Sequence, residues 1–204
     1  MVQLARSGKD TKRSITKVFW ENAIMFDMAV AGSTNAVLHI LAYAYELGIK
    51  LTLADFEKYA KEIYCINAVI PSGPYTVVDF HYAGGVKQVM KQLAGKIHTD
   101  APTIYGDTTW GELLDSVKSA PNKVIHSLED PVAKEPGLKI MRGNISPAGA
   151  IVRPTAVYEE VKYIKVRQKC MNAIRMRIKP LWQARLLRET FLLSAMKAVK
   201  EHRV

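Results

Sequence analysis

The sequence predicts an α/β fold that is rich in helix and is followed by short strands and a basic helical tail. Apolar residues recur at helical spacing in several segments between residues 19 and 117. Short β-forming runs bounded by Gly and Pro follow from residue 137 onward. The composition, 49% hydrophobic and 24% charged, is that of an ordinary globular protein, which argues against a disordered or fibrous chain.

The positive charge is concentrated at the C-terminus. The formal net charge is +10, and residues 157–204 hold 12 Lys and Arg against 4 Asp and Glu. No apolar run reaches the ~18 residues of a membrane span, and the basic residues near the N-terminus have no apolar core of signal-peptide form behind them. These observations predict a cytoplasmic protein.

Two apolar helices joined by a polar turn form the most informative stretch. Residues 23–30 are apolar on nearly every side, which predicts a buried helix. A second helix follows, with Ser33 or Thr34 as its cap and Gly48 at its end. A helix N-terminus with Gly and small hydroxyl residues suits a carboxylate or phosphate. The simpler interpretation, a tight turn between two helices, remains open.

The next elements are marked by local signals. Thr52 and Asp55 have the spacing of a capping box, which predicts a helix to about Tyr64. Residues 65–70 predict a short strand closed by a Pro- and Gly-containing turn. Residues 75–93 predict a helical region interrupted at two glycines.

A strand is predicted at residues 102–106, followed by a short helix that starts at the capping-box pair Thr109 and Glu112. Residues 119–136, rich in Pro, Asn, Ser and charge, predict an inter-domain linker. Residues 139–142 and 150–157 then predict two strands around a turn.

The tail predicts a helix at residues 181–199, because its apolar residues form a broad stripe flanked by basic side chains. Packing of this helix on its own body or on a protein partner is favoured over binding to a membrane or to nucleic acid, since no nucleic-acid motif accompanies it.

Four segments resemble the dihydroxy-acid dehydratase and phosphogluconate dehydratase family. Residues 27–42 read DMAVAGSTNAVLHILA, where the family usually has GGSTNAVLH, so Ala31 replaces a glycine. Three further matches follow in family order: LTLADF at residues 51–56, PSG at 71–73 with HYAGGV at 81–86, and GLKIMRGNISPAGAIV at 137–152. Collinear matches over about 130 residues are specific, whereas any single one would be weak.

The resemblance implies a division of the chain into parts. These are a basic leader at residues 1–18, the C-terminal part of a helix-rich α/β dehydratase domain at 19–118, a linker at 119–136, the first strands of an incomplete β-barrel domain at 137–156, and a divergent basic tail at 157–204. All 12 glycines precede residue 150, whereas a barrel needs glycines at its turns and bulges, so the family pattern breaks in the tail.

The resemblance also implies a reaction, the dehydration of a 2,3-dihydroxy acid to a 2-keto acid. An iron–sulfur cluster acts as Lewis acid, magnesium holds the carboxylate and the 2-hydroxyl group, and a serine is the base. The family's cluster cysteines, metal-binding Asp, modified Lys, Glu ligand and serine base come from motifs that this sequence does not contain. Cys65 and Cys170 match no cluster position and have no partner at metal-ligand spacing. We therefore assign no catalytic and no metal-binding residue.

Of the family's functional residues, the resemblance assigns to this sequence only those that form one wall of the substrate site. Its predicted substrate-binding residues are Ser33, Thr34, Asn35, Ser72 and Gly73.

Two neighbouring residues are excluded from this set. Pro74 stands where the family usually has Lys, and His81, between two aromatic residues, fits packing better than catalysis.

Several hypotheses on function remain open. The favoured one is a truncated or degenerate dihydroxy-acid dehydratase of branched-chain amino acid biosynthesis that is inactive alone. The alternatives are a fragment of a sugar-acid dehydratase acting on an aldonate or phosphogluconate, a non-catalytic subunit that forms a homo-oligomer or pairs with a complete paralogue, and a basic binding module. Whether the chain is itself an enzyme is left open, and its expected ligand is a small dihydroxy acid.

Overall fold

The computed structural model of the protein describes residues 2–157, apart from residues 9, 105, 106 and 145, and two short segments at residues 167–171 and 190–194. The chain divides after Val157 into two units. Within its described residues, the first unit holds seven helices and one two-stranded sheet. The helices are α1 (Val2–Arg6), α2 (Lys17–Val30), α3 (Thr34–Glu46), α4 (Leu53–Ala60), α5 (Val77–Tyr82), α6 (Gly85–Gln92) and α7 (Trp110–Asp115), with a 3₁₀ turn at Thr11–Ser14.

Helix α2 lies at the centre of the first unit and packs against α3, α4 and α6. It begins after Thr16, whose hydroxyl accepts a hydrogen bond from the Phe19 N–H at 3.3 Å. Its buried residues include Ile24 and Met28, both fully inaccessible to solvent. The buried helix that the sequence predicts is therefore confirmed.

The core continues from α2 into α4, α6 and the segment between them. The predicted apolar face of α4 is confirmed, since Phe56, Tyr59 and Ile63 are all buried, although the helix ends at Ala60 and not at Tyr64. The capping box at its start is present: the Asp55 carboxylate accepts from the Thr52 N–H at 2.8 Å. The capping box of α7 is present as well, with the Thr109 N–H donating to Glu112 Oε2 at 2.8 Å.

Helices α5 and α6 are separated at Gly84, as the glycine pair predicts. At the strand predicted for residues 102–106, the structure has a single β-bridge between Pro102 and Thr109, and residues 105 and 106 lie outside the described part.

Residues 65–70 run in extended conformation through the core and are held by isolated β-bridges, not by a continuous strand. The Ile66 N–H donates to the Ala29 carbonyl of α2 at 2.9 Å. On the other side, the Ala68 N–H donates to the Val124 carbonyl at 2.9 Å, and Ile125 is fully buried. Residues 119–136 thus include a stretch that packs along the core, while their role as an inter-domain linker stays a prediction.

Two short strands follow, β1 (Lys139–Met141) and β2 (Ala150–Val152), paired antiparallel with Ile140 opposite Ile151. The prediction of paired strands around a turn is confirmed, but β2 ends five residues earlier than predicted. Pro154 begins a 3₁₀ turn (Pro154–Ala156), because its fixed φ suits the first helical position and it has no N–H to donate to a ladder. The barrel itself stays a prediction.

In the second unit, β3 (Arg167–Met171) pairs in parallel with β4 (Thr190–Ser194). The helix predicted for residues 181–199 is therefore wrong at residues 190–194, and its remainder lies outside the described residues. The run Thr-Phe-Leu-Leu-Ser is short, apolar and partly β-forming, and such a run does not distinguish helix from strand by its pattern. In the part of the chain that is described, no helix is long and apolar enough to cross a membrane.

Candidate functional site

The turn between α2 and α3 opens the N-terminus of α3 to solvent. Ser33 is the cap: its hydroxyl accepts from the Asn35 N–H at 3.2 Å, which selects Ser33 over Thr34 as the capping residue. Ser33 and Asn35 are exposed and Thr34 is half-buried. The positive end of the dipole of this 13-residue helix is therefore accessible to a ligand.

The backbone of this turn is tightly constrained. Ala31, which replaces the usual glycine of the resembling family, has a left-handed conformation with φ 49°. Gly32 donates its N–H to the Asp27 carbonyl at 3.0 Å. A Cβ at Gly32 would lie 1.7 Å from Asp27 Oδ1, so the carboxyl group of Asp27 packs directly against the turn. Glycine is required at position 32 because of this close approach.

Arg153 reaches the turn from the segment after β2. Its Nε donates to the Gly32 carbonyl at 3.1 Å, and its Nη2 donates to the same oxygen. A guanidinium group therefore lies beside the open N-terminus of α3, and both are positive. Sequence reasoning missed Arg153, because it is 121 residues from Gly32 and no local pattern marks it.

The second pair of predicted residues meets the same segment. The hydroxyls of Ser72 and Thr155 are 2.8 Å apart, and Thr155 lies two residues after Arg153. Gly73 follows Ser72 directly and allows the tight turn there, since a Cβ at Gly73 would lie 2.2 Å from the Ala68 carbonyl oxygen. The two turns that the sequence predicts as one wall are thus both in contact with residues 153–155. Their binding of a substrate stays a prediction.

Two buried polar side chains lie beneath this wall. Cys65 is fully buried and its thiol donates to the Asn67 carbonyl at 3.6 Å. Burial raises the pKa of the Cys65 thiol, while its hydrogen-bonding contacts with Asn67 and Ser72 and the charge of Arg153 act in the opposite direction. Asn67 donates from Nδ2 to the Val30 carbonyl at 3.5 Å, and its Oδ1 is buried without a hydrogen-bond partner. Because its thiol is buried and has a raised pKa, Cys65 has the properties of a packed, unreactive cysteine.

Asp27 is the buried acid of the site. Asp27 is 8% exposed, and its Oδ2 atom is buried without a hydrogen-bond partner. Burial raises the pKa of Asp27 from 3.8 to about 6, and the positive charge of Arg153 acts in the opposite direction. The sequence signal for Asp27 is that it is the single acid within the apolar residues 23–30.

A metal or cluster site needs several donor side chains close together. Among the described residues, no three His, Cys, Asp or Glu side chains lie together in an arrangement that could hold an ion. The side chains present at the wall, one guanidinium, hydroxyls and one buried acid, do not fit an iron–sulfur cluster or a magnesium ion. His81 is exposed, and its ring contacts only the Tyr82 ring among the aromatic contacts described, at 5.5 Å between centroids.

Comparison with known proteins assigns both halves of the chain to one family of dehydratases. Residues 1–112 match the family described as Dihydroxy-acid/6-phosphogluconate dehydratase N-terminal, and residues 123–186 match its C-terminal counterpart. A dihydroxy-acid dehydratase from Geobacter metallireducens is 39% identical over 173 residues, which are 85% of this chain and 31% of the relative.

Two other relatives are similar to the same extent. A dihydroxy-acid dehydratase from Ignicoccus hospitalis is 40% identical over 79% of this chain and 29% of its own length. An L-arabinonate dehydratase from Rhizobium leguminosarum bv. trifolii is 39% identical over 76% of this chain and 27% of its own length. The chain therefore spans about a third of the length of the curated relatives it matches.

Proposed function

Because this chain belongs to the dihydroxy-acid/6-phosphogluconate dehydratase family, we propose that it forms one wall of a dehydratase substrate site and binds the carboxylate of a 2,3-dihydroxy acid. The family reaction removes water from such an acid and yields a 2-keto acid. The wall consists of the turn Gly32 to Asn35, the turn at Ser72 and Gly73, and the segment Arg153 to Thr155.

The contact between Arg153 and Gly32 is the observation that carries this proposal. It holds a guanidinium at Gly32, the residue before the cap of α3, so two positive groups lie close to the same turn. A carboxylate is a ligand of the right charge, since helix N-termini and guanidinium groups both donate hydrogen bonds to anions. A turn that only joined two helices would not need a guanidinium bound to its carbonyl.

The hydroxyl groups of the wall suit the rest of the substrate. Ser72 and Thr155 share one hydrogen bond, and each retains further capacity to donate or accept. Substrate hydroxyl groups are bound by such partners. We assign only binding and orientation to these residues, because the donor set does not fit the metal groups that the family uses, and no proton transfer or elimination is derived from them.

For the reaction, we favour a branched-chain dihydroxy acid, with a role in branched-chain amino acid biosynthesis. The dihydroxy-acid dehydratases among the relatives support this choice. An aldonate is the alternative, and it is supported by the L-arabinonate dehydratase at 39% identity. We also propose that residues 1–204 bind substrate without turning it over, since the motifs for cluster, metal and base are not in the sequence. Turnover then requires a companion polypeptide, such as a complete paralogue.

The test is binding of 2,3-dihydroxy-3-methylbutanoate to the purified chain, measured by calorimetry or by protein NMR shifts. Replacement of Arg153 by Met should weaken binding by about ten- to a hundredfold, because a charged hydrogen bond is lost. Arg142→Met is the matched control: Arg142 is paired with Glu57 at 2.7 Å on the surface, so its loss should leave binding unchanged. L-Arabinonate measured in parallel distinguishes the two substrate classes.

Three outcomes would contradict parts of the proposal. Equal binding by the Arg153→Met and wild-type chains would remove Arg153 from the site. An absence of binding by either acid would contradict the wall as a carboxylate site. Formation of a 2-keto acid by the purified chain alone, detected as its hydrazone, would contradict the expected lack of turnover.

A further inference from the structure

Asp27 is a buried acid to which the proposed function assigns no role. Its Oδ1 lies against Gly32, whose carbonyl holds Arg153, and its Oδ2 has no hydrogen-bond partner. An ionised carboxyl group is rarely left buried without partners, since its desolvation is costly. Packing alone is therefore a poor explanation for an acid at this position.

We infer that Asp27 is a positioning residue for Arg153, and that its carboxylate competes with the substrate's carboxylate for the guanidinium charge. The inference rests on the proposed function of the wall as a carboxylate site. With Asp27 ionised, the guanidinium has a permanent counter-charge behind the turn. With Asp27 protonated, the full positive charge of Arg153 is available to the ligand.

Among the residues that the structure describes, Arg153 is the charged group that acts on Asp27. The first turn of α3 brings Ser33 and Thr34, which carry no charge. The extended segment at residues 65–70 brings the Cys65 thiol, which is under the influence of the same guanidinium. Burial places the pKa of Asp27 at about 6, so its protonation changes within an accessible pH range.

The charged residues of the other helices packed on α2 act elsewhere. In α4, Asp55 pairs with Lys17 at 3.5 Å, at the N-terminal end of α2, and Lys58 donates from Nζ to the Tyr59 hydroxyl at 3.3 Å. In α6, Lys91 donates to the Leu114 carbonyl at 2.9 Å and so is directed toward α7. The balance between Asp27 and Arg153 is therefore local to the α2–α3 turn.

A pH dependence of binding follows with a definite sign. As the pH falls from 7.5 to 5, Asp27 takes up a proton and carboxylate binding should tighten by about tenfold, since one pKa unit of coupling equals a factor of ten. By reciprocity, a bound carboxylate should raise the pKa of Asp27. Above pH 7, with Asp27 ionised, binding should be at its weakest.

The experiment measures the dissociation constant of 2,3-dihydroxy-3-methylbutanoate from pH 5 to 8 for the wild type and for Asp27→Asn. The Asn variant keeps the shape without the charge, so it should bind at pH 7.5 about tenfold more tightly than the wild type and show no pH dependence. Arg142→Met is the control and should retain the wild-type profile. A wild-type profile that is flat, or one that persists in Asp27→Asn, would overturn the inference while leaving the carboxylate site intact.

A second measurement needs no ligand and separates this inference from the proposed function. The carboxyl carbon of Asp27 is followed by NMR during a pH titration of the wild type and of Arg153→Met. Removal of the guanidinium should raise the pKa of Asp27, because the charge that opposes the effect of burial is gone. An unchanged pKa would show that Asp27 and Arg153 do not interact, whether or not any acid binds to the wall.

Discussion

Helices α2 and α3 are adjacent, similar in length and similarly apolar in sequence, yet they have different roles in the structure. Seven of the 14 residues of α2 are buried, whereas only Val37 and Ala44 of the 13 residues of α3 are. Leu38 and Tyr45 of α3 are 63% and 81% exposed. An apolar pattern thus predicts a helix well, but the number of elements packed around that helix decides its burial.

The C-terminal ends of the two helices differ in the same way. Carbonyls of Met28, Ala29 and Val30 in α2 accept hydrogen bonds from Gly137, Ile66 and Asn67, so the last turn of α2 binds two other segments, one at residues 65–70 and one at Gly137. In contrast, the end of α3 is closed mainly by its own backbone: the Ile49 N–H donates to the Ala44 carbonyl at 2.7 Å. Helix α2 therefore anchors other segments of the first unit, whereas the C-terminal end of α3 is closed by its own stretch of chain.

The largest effect is expected from a change in the core face of α2. Ile24→Ala should lower the free energy of unfolding by about 3–4 kcal/mol, because the fully buried side chain leaves a cavity among α2, α4 and α6. Urea denaturation measures this. A loss below 1 kcal/mol would contradict the central position of α2.

An intermediate effect is expected at Asp27, and it depends on pH. The pKa of this carboxyl group is higher in the folded protein, about 6, than its ordinary value of 3.8, so ionisation destabilises the fold. The free energy of unfolding should therefore fall as pH rises from about 4 to about 6.

Relative to Asp27→Asn, the wild type should lose about 2–3 kcal/mol over this interval, since each pKa unit corresponds to 1.36 kcal/mol. Urea unfolding of both chains at pH 4, 5, 6 and 7 measures the difference, and the other acids cancel in it. Parallel curves for the two chains would mean that Asp27 is not buried as described.

The smallest effect is expected on the exposed face of α3. Leu38→Ala should change the free energy of unfolding by less than about 0.5 kcal/mol, since the side chain is 63% exposed and alanine favours helix. The same urea measurement applies. A loss as large as that for Ile24→Ala would show that a further element or partner covers α3.

Local signals in the sequence were sufficient for much of this fold. The capping boxes at Thr52 and Thr109 start α4 and α7, because both partners of each box lie within one turn. Ser33 and the glycines of the two turns were likewise visible in the sequence. The helix ends were less predictable: α4 stops at Ala60, where the chain turns to bury Ile63.

The rest depended on contacts between distant residues. Arg153 meets Gly32 across 121 residues, and nothing near Arg153 in the sequence indicates that contact. The burial of Asp27 and of Ile125 is set by neighbours from other segments. At residues 190–194, pairing with residues 167–171 overrides the helical pattern, and a single sequence does not show which run pairs with which.

The close contact of Gly137 with α2 bears on how the residues of the proposed wall are inherited together. Its N–H donates to the Met28 carbonyl at 2.9 Å, and a Cβ at this position would lie 2.3 Å from that oxygen. Asp27 and Gly32 come from the residues that match the N-terminal family region, and Arg153 comes from those that match the C-terminal one. The residues of the proposed wall therefore come from both regions, and recombination that separated the two regions would leave neither product with all of these residues.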